Sequence, residues 1–353
     1  MSDQFRELLQ KVGSGTHTGE HLSRVEAAHA MVMMLRQEAT PAQIGAFLIA
    51  HRIKRPTGEE LAGMLDAFEE LGPQLKPINT PPLVLGCPYD GRSRTAPVMP
   101  LTALVLATAG VPVILHGGDR MPTKEGIPLI AIWQALGVDW GKLTLGEVQA
   151  VLEAVGIGLV YLPHHFPQAH ALVSYRREIG KRPPIATMEL IWVPYAAEVI
   201  LACGYVHPPT EAMFQDALAR RGVRHFITIK GLEGSCDLPR DRTSIIGVQG
   251  LSSHGQTPLE FERILLHPEE YGFAGKEVPL EAPVDLIETI KLVLLGKSGH
   301  LTGELTAATL WNAGFYLWQT GVCGDLISGL SMAKSLLLSG QVRDKLEQLA
   351  GHF

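Results

Sequence analysis

The chain has 353 residues, of which 46% are hydrophobic and 19% are charged, and its formal net charge is −6 at pH 7. This composition is typical of a folded protein with a large core, and the negative net charge excludes a polycation that binds nucleic acid over its whole surface. No apolar run approaches the ~20 residues that cross a bilayer, and the N-terminus lacks the apolar segment of a signal peptide, so we expect a cytoplasmic protein with no membrane partner.

The first 75 residues carry the start signals of successive helices. Ser23 to Glu26 fits a capping box, Thr40 precedes a proline at a first helical position, and Thr57 to Glu60 is a third start. Apolar residues behind these signals recur every three or four positions. Such short amphipathic helices need a surface that covers their apolar stripes, and a second copy of the chain is one candidate.

After a proline-rich linker at 73–82, short β-rich runs alternate with helical stretches. The predicted strands are Leu83–Leu85, Val111–Leu115, Ile157–Leu162, Val199–Leu201, His225–Ile229 and Ser244–Val248. This alternation predicts an α/β domain with a largely parallel sheet. Ligands of such sheets bind at the carboxyl ends of the strands, so the loops after four of these strands are candidate sites.

The loop after the first strand reads GCPYDGRSR. Gly86 and Gly91 could bring backbone N–H groups onto a phosphate, whereas Pro88 has no N–H to offer. Arg92 and Arg94 could supply guanidinium donors instead. A plain turn with solvated arginines is the alternative interpretation.

The loop after the second strand reads HGGDRMPTKEG, from His116 to Gly126. Its adjacent glycines permit a close approach of the backbone, and Arg120 and Lys124 add positive charge. These features favour an anion site over a flexible connection between strand and helix.

The third loop, 163–184, holds three histidines and a basic cluster. No carboxylate or cysteine is spaced to complete a metal site with the histidines, and the four cysteines of the chain are far apart, which predicts reduced structural thiols. The cluster comprises Arg176, Arg177, Lys181 and Arg182. It is either a solvated face or an anion-binding surface.

The fourth loop reads KGLEGSCDLPRDR, from Lys230 to Arg242. Glu233 and Asp237 are oxygen ligands of the kind that magnesium prefers. The cations Lys230, Arg240 and Arg242 could equally neutralise both carboxylates, so the two alternatives stay open.

Taken together, these segments resemble the anthranilate phosphoribosyltransferase family, also called glycosyltransferase family 3, almost from end to end. The segments that carry the likeness are LSRVEAAHAMVMMLRQEATPAQIGAFLIAHRIKRPTGEELAGMLDAF, LATAGVPVILHGG and HFPQAHALVSYRREIGKR. The resemblance implies a small helical dimerisation domain at 1–75, completed by about 168–195, and a larger α/β domain with a mostly parallel sheet at 80–165 and 196–353. The family's substrates, anthranilate and phosphoribosyl pyrophosphate with magnesium, lie in the cleft between the two.

The departures from the family's motifs fall on the residues that bind the sugar donor. The family's G-T-G-G-D loop is GCPYD here, and its N-x-S-T falls on PVMP at 97–100. In K-H-G-N-R, Leu115 replaces the lysine and Gly118 the asparagine, while the magnesium-binding Asp-Glu pair falls on Cys236 and Asp237. Arg176 matches the family's anthranilate-contacting arginine.

These losses predict little or no anthranilate transfer. Each hydrogen bond to a charged group contributes roughly 1.5–3 kcal/mol, and a diphosphate leaving group needs metal to neutralise its charge. We therefore expect no catalytic residue, no bound metal and no cofactor. The alternative is an active glycosyl or phosphoribosyl transferase, with anthranilate or an altered acceptor, that uses magnesium with phosphoribosyl pyrophosphate.

The pattern is also similar to the family's divergent second branch, which keeps the fold and whose members bind nucleic acid through basic grooves on the dimer. We accordingly expect a homodimer that binds DNA, RNA or another phosphate-rich ligand in its cleft, and a structural dimer without a ligand is the plainest alternative. The expected phosphate-binding residues are Gly86, Asp90, Gly91, Arg92, Arg94, His116, Gly117, Gly118, Arg120 and Lys124. The expected acceptor or polyanion residues are Arg176, Arg177, Lys181, Arg182, Lys54 and Arg55.

Overall fold

The computed structural model of the chain describes residues 3–15, 18–250, 260–280, 283–297 and 299–353. The chain begins with the helices α1 (Asp3–Gly13), α2 (Arg24–Leu35), α3 (Pro41–Lys54) and α4 (Gly58–Leu71). Capping boxes at Ser23, Thr40 and Thr57 start α2, α3 and α4, which confirms the three predicted helix starts.

The carboxylate of Glu60 ties these helices together from a fully buried position. It accepts hydrogen bonds from the amide of Leu22 at 2.9 Å and from the amide of Thr57 at 2.8 Å, and Lys54 Nζ lies 2.8 Å away. Burial alone would raise the pKa of Glu60, but hydrogen bonds and positive charge from His51 and Lys54 hold that pKa well below its usual value.

Four short helices from the middle of the chain lie beside this group. They are α8 (Leu162–His165), α9 (Pro167–Ala171), α10 (Val173–Ile179) and α11 (Ile185–Met188). Tyr175 donates a hydrogen bond to Gln37 Oε1 at 2.6 Å, and Arg52 donates one to the carbonyl of Arg182 at 2.6 Å. The segment predicted to complete the helical domain thus contacts the first helices, while the exact domain boundaries stay a prediction.

The other half of the fold is a seven-stranded sheet in the order β3-β2-β1-β4-β5-β6-β7. Its strands are β1 (Leu83–Leu85), β2 (Val113–Gly117), β3 (Ile157–Tyr161), β4 (Ile200–Gly204), β5 (Phe226–Ile229), β6 (Ser244–Gln249) and β7 (Glu262–Leu266). Strands β1 to β5 pair in parallel, and β6 and β7 are antiparallel to their neighbours. The predicted fold class, a helical domain with a mostly parallel α/β domain, is confirmed.

All six predicted strands are present, with ends shifted by up to three residues, but β7 was not predicted. Strand β7 is an edge strand whose residues are mostly exposed, with only Leu266 buried. It therefore lacks the apolar pattern by which the inner strands can be recognised.

The described part of the chain contains eight further helices, which pack on the sheet and on one another. They are α5 (Met99–Thr108), α6 (Leu129–Ala135), α7 (Leu145–Val155), α12 (Pro208–Arg220), α13 (Pro283–Leu294), α14 (His300–Gln319), α15 (Leu326–Leu338) and α16 (Gln341–Ala350). Helix α14 fixes the loop after β5, because Asn312 Oδ1 accepts the amide of Leu238 at 2.7 Å and Tyr316 donates to the carbonyl of Cys236 at 2.7 Å.

Two expectations from composition concern the whole chain. Among the described residues, no helix is long and apolar enough to cross a membrane. The four cysteines are buried and unpaired, as expected for structural thiols.

Candidate functional site

The loops that follow β1 and β2 lie against each other at the carboxyl edge of the sheet. The amide of Gly126 donates to the carbonyl of Asp90 at 2.9 Å, and the amide of Ile127 donates to the carbonyl of Arg92 at 3.0 Å. A Cβ on Gly126 would lie 2.5 Å from that arginine oxygen, so glycine is required here for packing between the loops. The two candidate loops therefore contact each other, while the role of their glycines in phosphate binding stays a prediction.

Arg92 does not point into solvent but pairs with a carboxylate from the loop after β5. Its guanidinium donates to Asp237, to Ser235 Oγ at 3.3 Å and to Thr95 Oγ1. Both members of the pair are 3% exposed. Burial raises the pKa of Asp237, and the charge of Arg92 opposes that shift.

The second carboxylate of the loop after β5, Glu233, is held by the backbone of the loop after β1. It accepts the amides of Ser93 at 3.3 Å, Arg94 at 3.1 Å and Thr95 at 3.0 Å, and the Thr95 hydroxyl at 3.0 Å. We call this set of donors, at Ser93, Arg94 and Thr95, the amide cradle. Burial alone would raise the pKa of Glu233, but the hydrogen bonds of the amide cradle lower that pKa to about 2.

Bulky side chains fill the space between the loops after β1 and β2. Tyr89 is buried, and its hydroxyl lies 2.5 Å from His116 Nδ1. Burial lowers the pKa of His116 to about 3, so the imidazole is neutral. The cavity that remains, bordered by Gly117 and Gly118, measures about 30 Å³, which suits one or two water molecules and not a diphosphate.

Arg176 is also buried, which corrects the expectation that its charge faces an open cleft. Its guanidinium donates to Glu189 Oε1 and to Met121 Sδ, the latter at 3.3 Å. Both charged side chains of the Arg176–Glu189 pair are at most 4% exposed. Burial raises the pKa of Glu189 and the charge of Arg176 opposes it. No sequence pattern pointed to Glu189, which lies in an otherwise apolar stretch.

Asp90 is the one carboxylate of the first loop and is 3% exposed. Within the described part of the chain, neither of its carboxylate oxygens has a hydrogen-bond donor. Arg182 Nη2 lies 3.8 Å from Asp90 Oδ1, too far for a hydrogen bond. Burial lowers the pKa of Lys124, and the charge of Asp90 opposes that shift.

Arg182 also borders a larger cavity between the helical segment and the sheet, which we call the cleft cavity. It measures about 360 Å³, within the range typical of small-molecule sites. Its lining residues include Arg52, Pro56, Arg182, Thr187, Tyr205 and His207. Of these, only Arg182 was among the predicted site residues.

Comparison with known proteins shows what the chain as a whole is similar to. A model of the glycosyl transferase family, helical bundle domain, matches residues 6–72. The chain is 27% identical to anthranilate phosphoribosyltransferase 1 of Ralstonia nicotianae over 331 residues, 92% of this chain and 91% of that protein. It is 29% identical over 350 residues to anthranilate phosphoribosyltransferase of Anaeromyxobacter dehalogenans, with 94% of each chain covered.

Two solved structures are similar to this chain in fold. Anthranilate phosphoribosyltransferase from Thermus thermophilus superposes with a TM-score of 0.78 at 22% identity and covers 99% of both chains. The chain has the anthranilate phosphoribosyltransferase fold. The Saccharomyces cerevisiae protein in complex with PRPP and Mg superposes with a TM-score of 0.77 at 16% identity, covering 100% of this chain and 98% of that one.

Within this anthranilate phosphoribosyltransferase fold, the residues at the expected magnesium position do not fit the metal. Cys236 donates its thiol to the carbonyl of Gly86 at 2.8 Å, and Asp237 is paired with Arg92. Glu233 is taken up by the amide cradle. No group of three or more His, Cys, Asp or Glu that could hold a metal exists among the residues the structure describes. A magnesium site made by Glu233 and Asp237 is therefore not supported.

The remaining predicted basic residues divide into paired and open ones. Lys54 is paired with Glu60, and its role in binding an acceptor or polyanion stays a prediction. Arg177 lies 3.6 Å from Glu125 with its side chain 63% exposed, and Arg94 is 78% exposed although 3.7 Å from Glu233. The residues Arg55, Arg120 and Lys181 are also exposed.

Proposed function

We propose that the chain binds a phosphorylated pentose in its cleft and acts as a pentosyl transferase whose acceptor is not anthranilate. The observation that carries the proposal is the buried carboxylate of Asp90, which lacks donors within the described part of the chain. A buried acceptor without a hydrogen-bond donor costs free energy. The hydroxyl groups of a sugar could donate the missing hydrogen bonds to Asp90. The curated relatives and the fold support the same substrate class, because the yeast neighbour binds PRPP with Mg.

Positive charge beside Asp90 favours a ligand that also carries phosphate. Arg182 lies at the border of the cleft cavity, and Lys124 is close enough for Asp90 to influence its pKa. In this proposal the sugar hydroxyls bind Asp90, and a phosphate group binds Arg182 and Lys124. Arg92 supplies fixed positive charge where the family uses a metal.

The buried Arg176–Glu189 pair argues against anthranilate as the acceptor. Arg176 matches the family's anthranilate-contacting arginine, but here its charge is already paired with Glu189. A free carboxylate would have to displace a buried and hydrogen-bonded partner, which is costly. An acceptor that carries no carboxylate needs no such displacement.

Calorimetry on the Asp90→Asn variant tests the proposal. We expect phosphoribosyl pyrophosphate to bind the wild type with one site per chain, and D90N to bind at least ten-fold more weakly, because the amide replaces one acceptor oxygen by an NH2 donor and removes the negative charge. Asp344→Asn, an equal charge change at a side chain 61% exposed on α16, is the matched control. Absence of binding heat in the wild type, or equal affinity of D90N and D344N, would reject the proposal.

A second candidate function, binding of nucleic acid by a dimer, rests on the exposed Arg94 and Lys181. It predicts that the protein retards DNA in a gel, and that the logarithm of the binding constant falls linearly with the logarithm of the salt concentration. Each phosphate contact that is lost reduces the steepness of this line by about 0.9. R94A/K181A should therefore flatten the slope by about 2, whereas the control R224A/R343A should not. Salt-independent binding, or equal slopes for the two double variants, would discard this candidate.

A further inference from the structure

The amide cradle has the donor set of an oxyanion site, yet its occupant is a side chain of the same protein. Three backbone amides and the hydroxyls of Ser93 and Thr95 converge on the two oxygens of Glu233. Successive backbone N–H groups that point to one centre are a recurring phosphate-binding arrangement. We propose that the amide cradle is a binding site for a phosphate monoester, and that Glu233 occupies it in the absence of ligand.

The charge around the amide cradle exceeds what one carboxylate neutralises. Arg92 Nε, Arg94 Nε and Lys124 Nζ lie 3.8, 3.7 and 3.8 Å from the Glu233 carboxylate. Asp237 is the second carboxylate in this cluster, through its pair with Arg92. With Glu233 in place the cluster keeps one positive charge, and with Glu233 withdrawn it has two. A phosphate monoester dianion would balance that charge fully.

The backbone at Glu233 has an unusual conformation. Glu233 has a φ of 53°, which is a strained conformation for a residue other than glycine, and Gly234 beside it has a φ of 85°. The amide cradle also lies near solvent, since the Lys124 side chain is 24% exposed and that of Arg94 is 78% exposed. In this inference, a bound ligand displaces the Glu233 side chain from the amide cradle.

Glu233 competes with an external anion as a tethered ligand. A group held on a short loop acts at an effective concentration of millimolar or more, so free phosphate binds the wild type only weakly. Removing the Glu233 carboxylate should reveal the intrinsic affinity of the amide cradle. The inference deepens the proposed function, on which it rests for the identity of the sugar phosphate. Its probe is inorganic phosphate, so the two can fail separately.

Titration calorimetry with inorganic phosphate at constant ionic strength tests the inference. We compare the wild type with E233A and with the isosteric E233Q, and we use E198Q, at an exposed residue before β4, as the matched control. The expected result is at least ten-fold tighter phosphate binding in both Glu233 variants than in the wild type and E198Q. Adding K124A to E233Q should remove that gain.

The result that would overturn the inference is equally specific. If E233A and E233Q bind phosphate no more tightly than the wild type, Glu233 is only a structural cap of the loop. If either variant is unstable, its melting temperature in phosphate is compared with that in chloride at equal ionic strength. A ligand that binds the folded state raises the melting temperature, so this comparison detects phosphate binding. A rise confined to the Glu233 variants supports the site, and equal melting temperatures reject it. Ribose 5-phosphate binding more tightly than inorganic phosphate would identify the sugar-linked group as the natural ligand.

Discussion

At the scale of single residues, most of the charged groups in the candidate site are paired with other groups of the same chain. Arg92 holds Asp237, Glu233 fills the amide cradle, and Glu189 neutralises Arg176. Each pairing avoids an uncompensated buried charge, which would be strongly unfavourable. Asp90 is the exception, and its unsatisfied oxygens point to a ligand.

Removing one member of the buried Arg176–Glu189 pair should destabilise the protein strongly. R176A leaves the Glu189 carboxylate buried without its cation, and the expected loss is about 3–5 kcal/mol of unfolding free energy in urea titrations. The double variant R176M/E189L replaces both charges by apolar groups and should cost less than R176A. A loss in R176A below about 1 kcal/mol would show that the pair is solvated, contrary to the structure.

Acid should weaken the contribution of Glu233 within a defined pH window. The pKa of this carboxyl is about 2 in the folded chain against an ordinary value of 4.5. A depressed folded pKa stabilises the protein above pH 4.5, and that stabilisation is lost as the pH falls toward 2. The difference in unfolding free energy between wild type and E233Q, measured in phosphate-free buffers, should therefore shrink between about pH 5 and about pH 2.5. A difference that stays constant over this range would contradict the assignment.

At the scale of elements, the sequence predicted what depends on local pattern and missed what depends on packing. The capping boxes at Ser23 and Thr57 and the apolar run of β1 are visible because caps and buried strands have strong local signatures. Strand β7 is an exposed edge with no such signature.

The sequence predicted which segments to examine for a site, but not which of their charged groups are buried and paired. Connections follow β1, β2 and β5 where the sequence predicted loops, but the third predicted loop, 163–184, is mostly the helices α8, α9 and α10. Whether Arg92 and Arg176 face solvent depends on partners 145 and 13 residues away in the chain, which no local pattern reveals. Nor does a local pattern reveal that the buried carboxylate of Asp90 has no hydrogen-bond donor among the described residues.

Within the helical segment, Glu60 should be the most sensitive charged residue. E60A removes the acceptor of two backbone amides and the buried partner of Lys54, and we expect a loss of about 3 kcal/mol or more in chemical denaturation. Glu70→Ala, near the end of the same helix and 60% exposed, is the control and should change stability by less than about 1 kcal/mol. Equal effects of the two substitutions would show that Glu60 does not tie the helices together.

At the scale of the whole molecule, the fold places loops that are closed by ion pairs beside a cavity that is open. The strand-end loops are closed by internal ion pairs, and the cleft cavity of about 360 Å³ remains open beside them. Two predicted site cations, Arg94 and Arg177, are exposed but do not line this cavity. Because most of the innermost charges are already neutralised, a small anionic ligand inside the cleft would depend on Arg182, which borders the cleft cavity and lies 3.8 Å from Asp90.

The predicted dimer is a property of the whole molecule and can be tested directly. Val25 and Ile53 of the helical segment are 78% and 63% exposed, and in the predicted dimer we expect the second copy to cover Ile53. Light scattering should give about twice the chain mass of 38.3 kDa for the wild type and a lower mass for Ile53→Glu. A wild type that stays at the single-chain mass at micromolar concentration would contradict the prediction.

The most direct measurement for the central claim is the affinity for phosphoribosyl pyrophosphate with magnesium and then with a chelator. Asp237 is paired with Arg92, and the described residues contain no group of three or more His, Cys, Asp or Glu that could hold a metal. The protein itself should therefore contribute nothing to metal binding. We predict one binding site per chain with a dissociation constant that changes less than three-fold between the two conditions. Binding that requires magnesium, or no binding in either condition, would contradict this claim.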